Sequence, residues 1–311
     1  MTGPSLTNAI SFDLEHWHTA TLVQEHISNP TNHVVDSVKT VLDLLSRSKT
    51  RATFFIVGEL ASEYPDLIQH IREAGHELGI HGHTHTPLFD LTPDEFTTEV
   101  AEAIEAIENA TGITPAGFRA PNFSLTEETK WALPILNDSE LAYDSSLFPV
   151  KTPLYGVAKA PLEPFNVDRF TPFELPEETK RAYTLKEFPL STLVTPVRAP
   201  IAGGFYARVA PLRFLTYGIT HLNRRGLPAN LYFHPWEFNP AVKSPELPLH
   251  KRFVSNYGID SLEAKVEHLL ETFNFGTVEA TLNSYFSTDS ERPDAEQHAE
   301  KRSLLSLGGH L

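Results

Sequence analysis

Gly75-His76-Glu77-Leu78-Gly79-Ile80-His81-Gly82-His83-Thr84-His85 decides how this chain is read. A short apolar run ends on an imidazole, and a second imidazole follows four residues later. Histidine is scarce and is the commonest side-chain metal ligand at neutral pH. His81 and His85 therefore read as two metal ligands delivered by a strand end. Their spacing lets both rings point the same way from one turn, whereas His83 between them faces elsewhere. A hydrolytic metal site needs a third ligand, usually a carboxylate, and an open position. Acids stand early, in Ile10-Ser11-Phe12-Asp13-Leu14-Glu15-His16-Trp17. Asp13 and Glu15 have the period-two relation that puts both side chains on one face of an extended segment. One can bind the metal while the other holds a proton. The simpler alternative is a strand-end acid that caps nearby amides.

Outward from that stretch, short apolar runs alternate with amphipathic segments, the pattern of repeated β-α units. Strands are predicted at Ala9–Asp13, Ala52–Val57, Glu77–Ile80, Gly117–Arg119, Leu141–Asp144 and Asn230–His234. Helices are predicted at Asn32–Ser48, Ala61–Ala74, from Thr92 to about Ala110, Thr126–Asn137, Leu212–Arg225 and Ser261–Phe273. Thr92 and Glu95 form a capping box for one of them. Asp13, His81, Arg119, Asp144 and His234 each fall at or just past the C-terminal end of a predicted parallel strand. In α/β barrels that edge is where chemistry is assembled. Arg119 can pair with a buried carboxylate, and His234, behind an apolar strand, can give a proton to a leaving group. His16, Trp17 and His18 can line the pocket. From about 149 to 211 prolines are frequent and helical periodicity is poor, so this stretch reads as an elaborated insertion packed on the core. One domain spans 1–286, and 287–311 reads as a polar, disordered tail.

Composition narrows the function. Among 311 residues, 41% are hydrophobic and 21% charged, ordinary for a soluble protein large enough to bury a substantial core. A formal net charge of −15 argues against a nucleic-acid partner. The chain has 0 Cys, which excludes disulfides, Cys-based zinc sites and a thiol nucleophile. No signal peptide is read at Met1–Ser5, and no run approaches the roughly 18 apolar residues of a membrane span. The expectation is a soluble, cytoplasmic protein.

These segments, in this order, resemble the NodB-type polysaccharide deacetylases (carbohydrate esterase family four). The resemblance implies an α/β fold, a distorted, incomplete (β/α) barrel, and metal-dependent removal of N-acetyl groups from an acetylated sugar or polysaccharide. The family's acidic first motif resembles Ser11–Glu15, which implies Asp13 as catalytic base and Glu15 as carboxylate ligand. Its His-x-x-x-His motif matches His81 and His85, and Arg-x-Pro-x-Tyr matches Arg119, Pro121 and Phe123, the last implied to lend its backbone N–H to an oxyanion hole. The final motif matches Phe233-His234. The fourth is altered: Asp144 is retained, but Leu147-Phe148 replaces Asp-Trp, so the partner of His234 is either Asp144 or Glu187. The segments Glu187–Ser191, Ala202–Arg208 and His234-Pro235-Trp236-Glu237 resemble a bacterial subgroup associated with exopolysaccharide and exosortase loci. In that context Asp144, Glu187, Gly204, Arg208 and Trp236 are the substrate-contact candidates. The implied cofactor is a divalent metal, zinc first, with Co2+, Ni2+ or Mn2+ as alternatives. A non-catalytic glycan-binding relative, a metal-independent amidohydrolase of the same fold and a non-haem iron oxygenase are the competing readings.

Overall fold

β1 (Asn8–Leu14) and β2 (Thr53–Ile56) are buried at every position. Such strands are covered on both faces, as in a parallel sheet. Between them α1 (Val34–Arg47) turns Val34, Val38, Val41, Leu42 and Leu45 inward. The single helix expected after β2 is two, α2 (Gly58–Glu63) and α3 (Pro65–Glu73). Pro65 cannot donate an amide hydrogen, so it starts a first turn and does not continue one. β3 (Glu77–Ile80) follows, then α4 (Pro93–Thr111), opened by the Thr92–Glu95 capping box and closed by Gly112 at φ 72°. β4 (Gly117–Phe118), a shorter α5 (Ala132–Asp138) than expected, and β5 (Tyr143–Asp144) complete the first half. This computed structural model describes residues 6–290 apart from 20–25, 28–29, 140, 151, 153–154, 170, 176–181, 195–197 and 243–246.

The second half adds β6 (Phe165–Asp168), β7 (Ala182–Glu187), a small hairpin of β8 (Thr192–Val194) and β9 (Arg198–Pro200), then α6 (Gly204–Val209) and α7 (Leu212–Arg224). β10 (Asn230–Phe233), α8 (Leu249–Asn256), α9 (Ile259–Thr272), β11 (Phe275–Gly276) and α10 (Val278–Ser290) finish it. Here α9 starts ahead of the expected Ser261, on Gly258 at φ 76°. Residues 287–290 of the expected tail are helical, and those beyond lie outside the described residues. No helix among the described residues is long and apolar enough to cross a membrane.

Strand order is β10-β1-β2-β3-β4-β5-β7-β6, with β11 also against β1. Every pairing in it is parallel except β6 with β7. The proline-rich stretch therefore contributes two strands of the main sheet, β6 and β7, as well as the decoration around them.

The sheet curls until β10 approaches the end of β7, and a few isolated hydrogen bonds rather than a ladder close the seam. Ser191 N–H donates to Asn230 O (3.2 Å), and Asn230 N–H donates to Ser191 Oγ (2.7 Å). The Asn230 amide donates to Ser145 Oγ and Phe188 O, both at 2.9 Å. This is a distorted, incomplete (β/α) barrel. Asn230→Ala strips those buried partners at once, so urea unfolding should show a loss of about 2–3 kcal/mol. A loss under about 0.5 kcal/mol would contradict the seam's role.

Candidate active site

Parallel strands put Asp13, His81, Arg119, Asp144, Glu187 and His234 on one edge of the sheet. Arg119 is the best-anchored of them, with 0% exposure. Its Nη1 donates to Asp13 Oδ1 (2.7 Å) and Ser11 Oγ (2.8 Å). Nε donates to Ser145 O and Nη2 to Ser145 Oγ. The guanidinium also lies 4.2 Å over the Phe55 ring. β1, β2, β4 and the segment after β5 are thereby tied to one side chain, which holds one Asp13 oxygen at a fixed place.

His81 sits just past β3, and its Nδ1–H donates to Arg119 O at 2.8 Å. That bond fixes the tautomer and leaves Nε2 to bind a ligand. Burial, with the His85 charge, lowers its pKa to about 4, so the ring is neutral, as a metal ligand must be. The His85 ring is 5.0 Å away, on a backbone at φ 63°. The loop between them is held by a residue the sequence reading missed. Glu99 of α4 accepts from His83 N–H (2.7 Å), Thr84 N–H (2.9 Å) and Thr84 Oγ1 (2.7 Å). The available signal was an acid interrupting the apolar stripe of Phe96, Val100 and Ala103.

His85 Nε2 stands 2.8 Å from Glu15 Oε2. The contact is not aligned as a hydrogen bond, and that buried oxygen has no hydrogen-bond partner. Burial opposes the Glu15 charge, but His85, His234 and His81 lower its pKa to about 2. An orphaned carboxylate oxygen beside a ring nitrogen, with a second neutral imidazole at hand, fits a divalent cation's donor set. Among the described residues no three such donors are already gathered at metal-holding spacing. The pre-set part is the Glu15–His85 contact, with His81 beside it.

The opposite wall is His234, whose Nε2 lies 3.5 Å from Glu15 Oε1. Its partner is neither expected candidate but Glu237, at 3.2 Å from Nδ1. Glu237 also accepts the His234 backbone N–H (3.0 Å), so a His-x-x-Glu turn was the sequence signal. Burial disfavours the imidazolium, but Glu237, Glu15 and Asp13 raise the His234 pKa to about 9. Arg208 backs Glu237 from Nε (3.1 Å) and Nη2 (3.0 Å). Its remaining donors serve the Val254, Ser255 and Tyr257 carbonyls, so they are committed within the protein although the side chain reaches the pocket wall. A Cβ on Gly204 would collide with the Glu237 carboxylate, so the close approach that Gly204 permits is Glu237's. Trp236 stacks on His234 with ring centres 5.1 Å apart.

Three further expectations are corrected. Asp144 and Glu187 pair with each other, and Asp144 also accepts from Ser146 Oγ. Burial raises the Asp144 pKa to about 6 and, with Asp144 beside it, holds Glu187 well above its ordinary 4.5. The Phe123 N–H, expected in an oxyanion hole, donates to Ala120 O at 3.0 Å because Pro121–Phe123 close one tight turn. His16 pairs with Glu63 instead of lining the pocket, whereas Trp17 does line it. That pocket, a cavity of about 150 Å³ beside His234, is walled by Trp17, Phe205, Tyr232, Trp236, Leu247 and Val254.

The curled sheet with its rim of carboxylates and imidazoles is an incomplete (β/α) barrel with a polar edge. Residues 29–137 match the polysaccharide deacetylase family model. Residues 145–283 match a domain of unknown function, DUF3473, which carries Glu237, Arg208 and most of the pocket wall. The chain is 31% identical over 93 residues to the peptidoglycan-N-acetylglucosamine deacetylase of Bacillus cereus, covering 30% of this chain and 34% of that one. It is 38% identical over 82 residues to the chitooligosaccharide deacetylase of a Bradyrhizobium, 26% of this chain and 37% of that one. It thus spans about a third of the length of these curated relatives. A solved Mycobacterium smegmatis structure of the polysaccharide deacetylase type superposes with TM-score 0.60 at 18% identity, covering 92% of each chain, a likeness of fold alone.

The Asp144–Glu187 pair makes a signed prediction. A carboxyl pKa raised by folding stabilises the native state below the unfolded value, and that contribution is lost as pH rises through the folded value. Glu187→Gln removes the proton-binding group. Its stability relative to wild type should therefore improve as pH rises from about 4.5 towards neutrality, read by urea unfolding at each pH. A pH-independent difference would refute the shared proton.

Proposed function

We propose that the chain is a metal-dependent hydrolase that removes N-acetyl groups from sugar residues of a polysaccharide or of its biosynthetic intermediate. The observation that carries this reading is Glu15 held between His85 (2.8 Å) and His234 (3.5 Å), with Asp13 close enough to act electrostatically on His234 and His81. The deacetylase names of the relatives support it, and the match of residues 29–137 spans the His81–His85 segment.

Glu15, His81 and His85 would hold the cation, zinc being the first choice for two imidazoles and a carboxylate. When bound, such an ion supplies Lewis-acid polarisation of the acyl carbonyl and a more acidic attacking water. The chain's own residues do the proton work. Arg119 engages Oδ1 of Asp13, so the carboxylate is oriented to accept the water proton at its other oxygen. His234, with its pKa near 9, is protonated at neutral pH and positioned to donate to the departing sugar nitrogen. Glu237 holds its ring at Nδ1, which leaves Nε2 for that transfer. Trp236 and Trp17 offer ring faces on which a sugar can stack.

The test is acetate release from N-acetylated oligosaccharides with and without chelator, together with metal analysis. Asp13→Asn should keep its metal content and lose at least ~10²-fold in turnover. His85→Ala should lose the metal itself. Unchanged turnover in Asp13→Asn would refute the base assignment, and oligosaccharide binding without acetate release under any metal would refute the enzyme.

A further inference from the structure

α8 has two faces of opposite purpose. Its inner side, Val254 and Ser255, walls the pocket beside His234, and Arg208 fastens their carbonyls. Its outer side exposes Leu249 (81%), Phe253 (49%) and, just past the helix, Tyr257 (50%). These residues are four apart, so they fall on one stripe. Leu249 is the most exposed large hydrophobic residue described. The stripe continues inward: Phe253 lies 4.8 Å from Tyr257 and 6.5 Å from Phe205, a pocket residue. Half-exposed Val209 follows Arg208, whose carbonyl meets Gly258.

Charge says what covers this stripe. The chain carries 40 acids against 25 Lys and Arg, yet Leu249-His250-Lys251-Arg252-Phe253-Val254-Ser255-Asn256-Tyr257 contains no acid. His250 and Arg252 are exposed on either side of the apolar stripe, and Lys251, half-buried on the inner side with Val254 and Ser255, has a stem long enough to bring its ammonium to the rim. An apolar and aromatic stripe flanked by cations is the make-up of a helix that lies in the headgroup region of an anionic membrane. Tyrosine suits that depth because its ring is apolar and its hydroxyl polar. On a protein of net charge −15 such an acid-free segment also favours one orientation at an anionic surface.

We propose that α8 docks the protein onto an anionic phospholipid surface, with Leu249, Phe253 and Tyr257 inserted and Lys251 and Arg252 on the headgroups. The pocket mouth beside His234 then lies next to the membrane plane. This assignment is independent of the reaction the site performs.

The test is flotation of the full chain with phosphatidylcholine vesicles, with and without phosphatidylglycerol. Binding should require the anionic lipid and weaken with salt. Lys251→Glu/Arg252→Glu and Leu249→Ser/Phe253→Ser should each weaken it at least tenfold without moving the thermal midpoint. Val35→Ser, an exposed apolar residue elsewhere, should leave it unchanged. No binding to anionic vesicles would overturn the proposal. So would binding that survives both double variants, or concentration-dependent self-association that Leu249→Ser/Phe253→Ser abolishes while vesicles remain unbound.

Discussion

A guanidinium that water cannot reach must find a countercharge and acceptors for its N–H groups within the protein. Arg119 is such a group, and the way it is satisfied sets the shape of the barrel mouth. Asp13 supplies the charge, while Ser11 and Ser145 supply the remaining acceptors. The arginine's own carbonyl then fixes the tautomer of His81. One buried side chain therefore orients both the acid at the end of β1 and the imidazole at the end of β3. Ser145 also receives the Asn230 amide from across the seam, so closing the barrel and aligning the site depend on the same hydroxyl.

A second buried ion pair works on the opposite wall. Arg208 holds Glu237, which holds His234, and Gly204 supplies the room for that carboxylate. Glu15 stands between the two walls, in reach of His85 on one side and His234 on the other. Each arginine keeps a carboxylate in place, and each carboxylate bears on the hollow between. Buried ion pairs of this kind add little net stability, so their value lies in specifying geometry. The first half of the chain builds one wall, and the segment matching the domain of unknown function builds the other.

Much of this was legible in the sequence where periodicity and strand ends carried the signal. β1, β3, β10 and the capping box of α4 follow from apolar runs and local capping chemistry. The placement of Asp13, His81, Arg119 and His234 on one edge follows from parallel strands. What could not be read is pairing across long sequence separations. Nothing local to Glu237 announces Arg208, and nothing in the proline-rich stretch says that β7 pairs with β5. Asp144 looked like a partner for His234 because it ends a strand, but only the fold reveals that Glu187 is nearer. Glu99 left only a faint signal, an acid within the apolar stripe of α4, because accepting the N–H groups of a distant loop makes no motif of its own. The split between α2 and α3 was available in Pro65 and yielded to the apolar periodicity around it.

The central claim is that Arg119 and Asp13 form one buried unit on which the site's alignment rests. A double-mutant cycle on unfolding free energy tests it most directly, with Asp13→Asn, Arg119→Gln and the pair. The account predicts strong coupling, with either single change costing about 3–5 kcal/mol and the second adding little. Additive losses, within about 0.5 kcal/mol, would show that the two side chains are adjacent but independent and would contradict it.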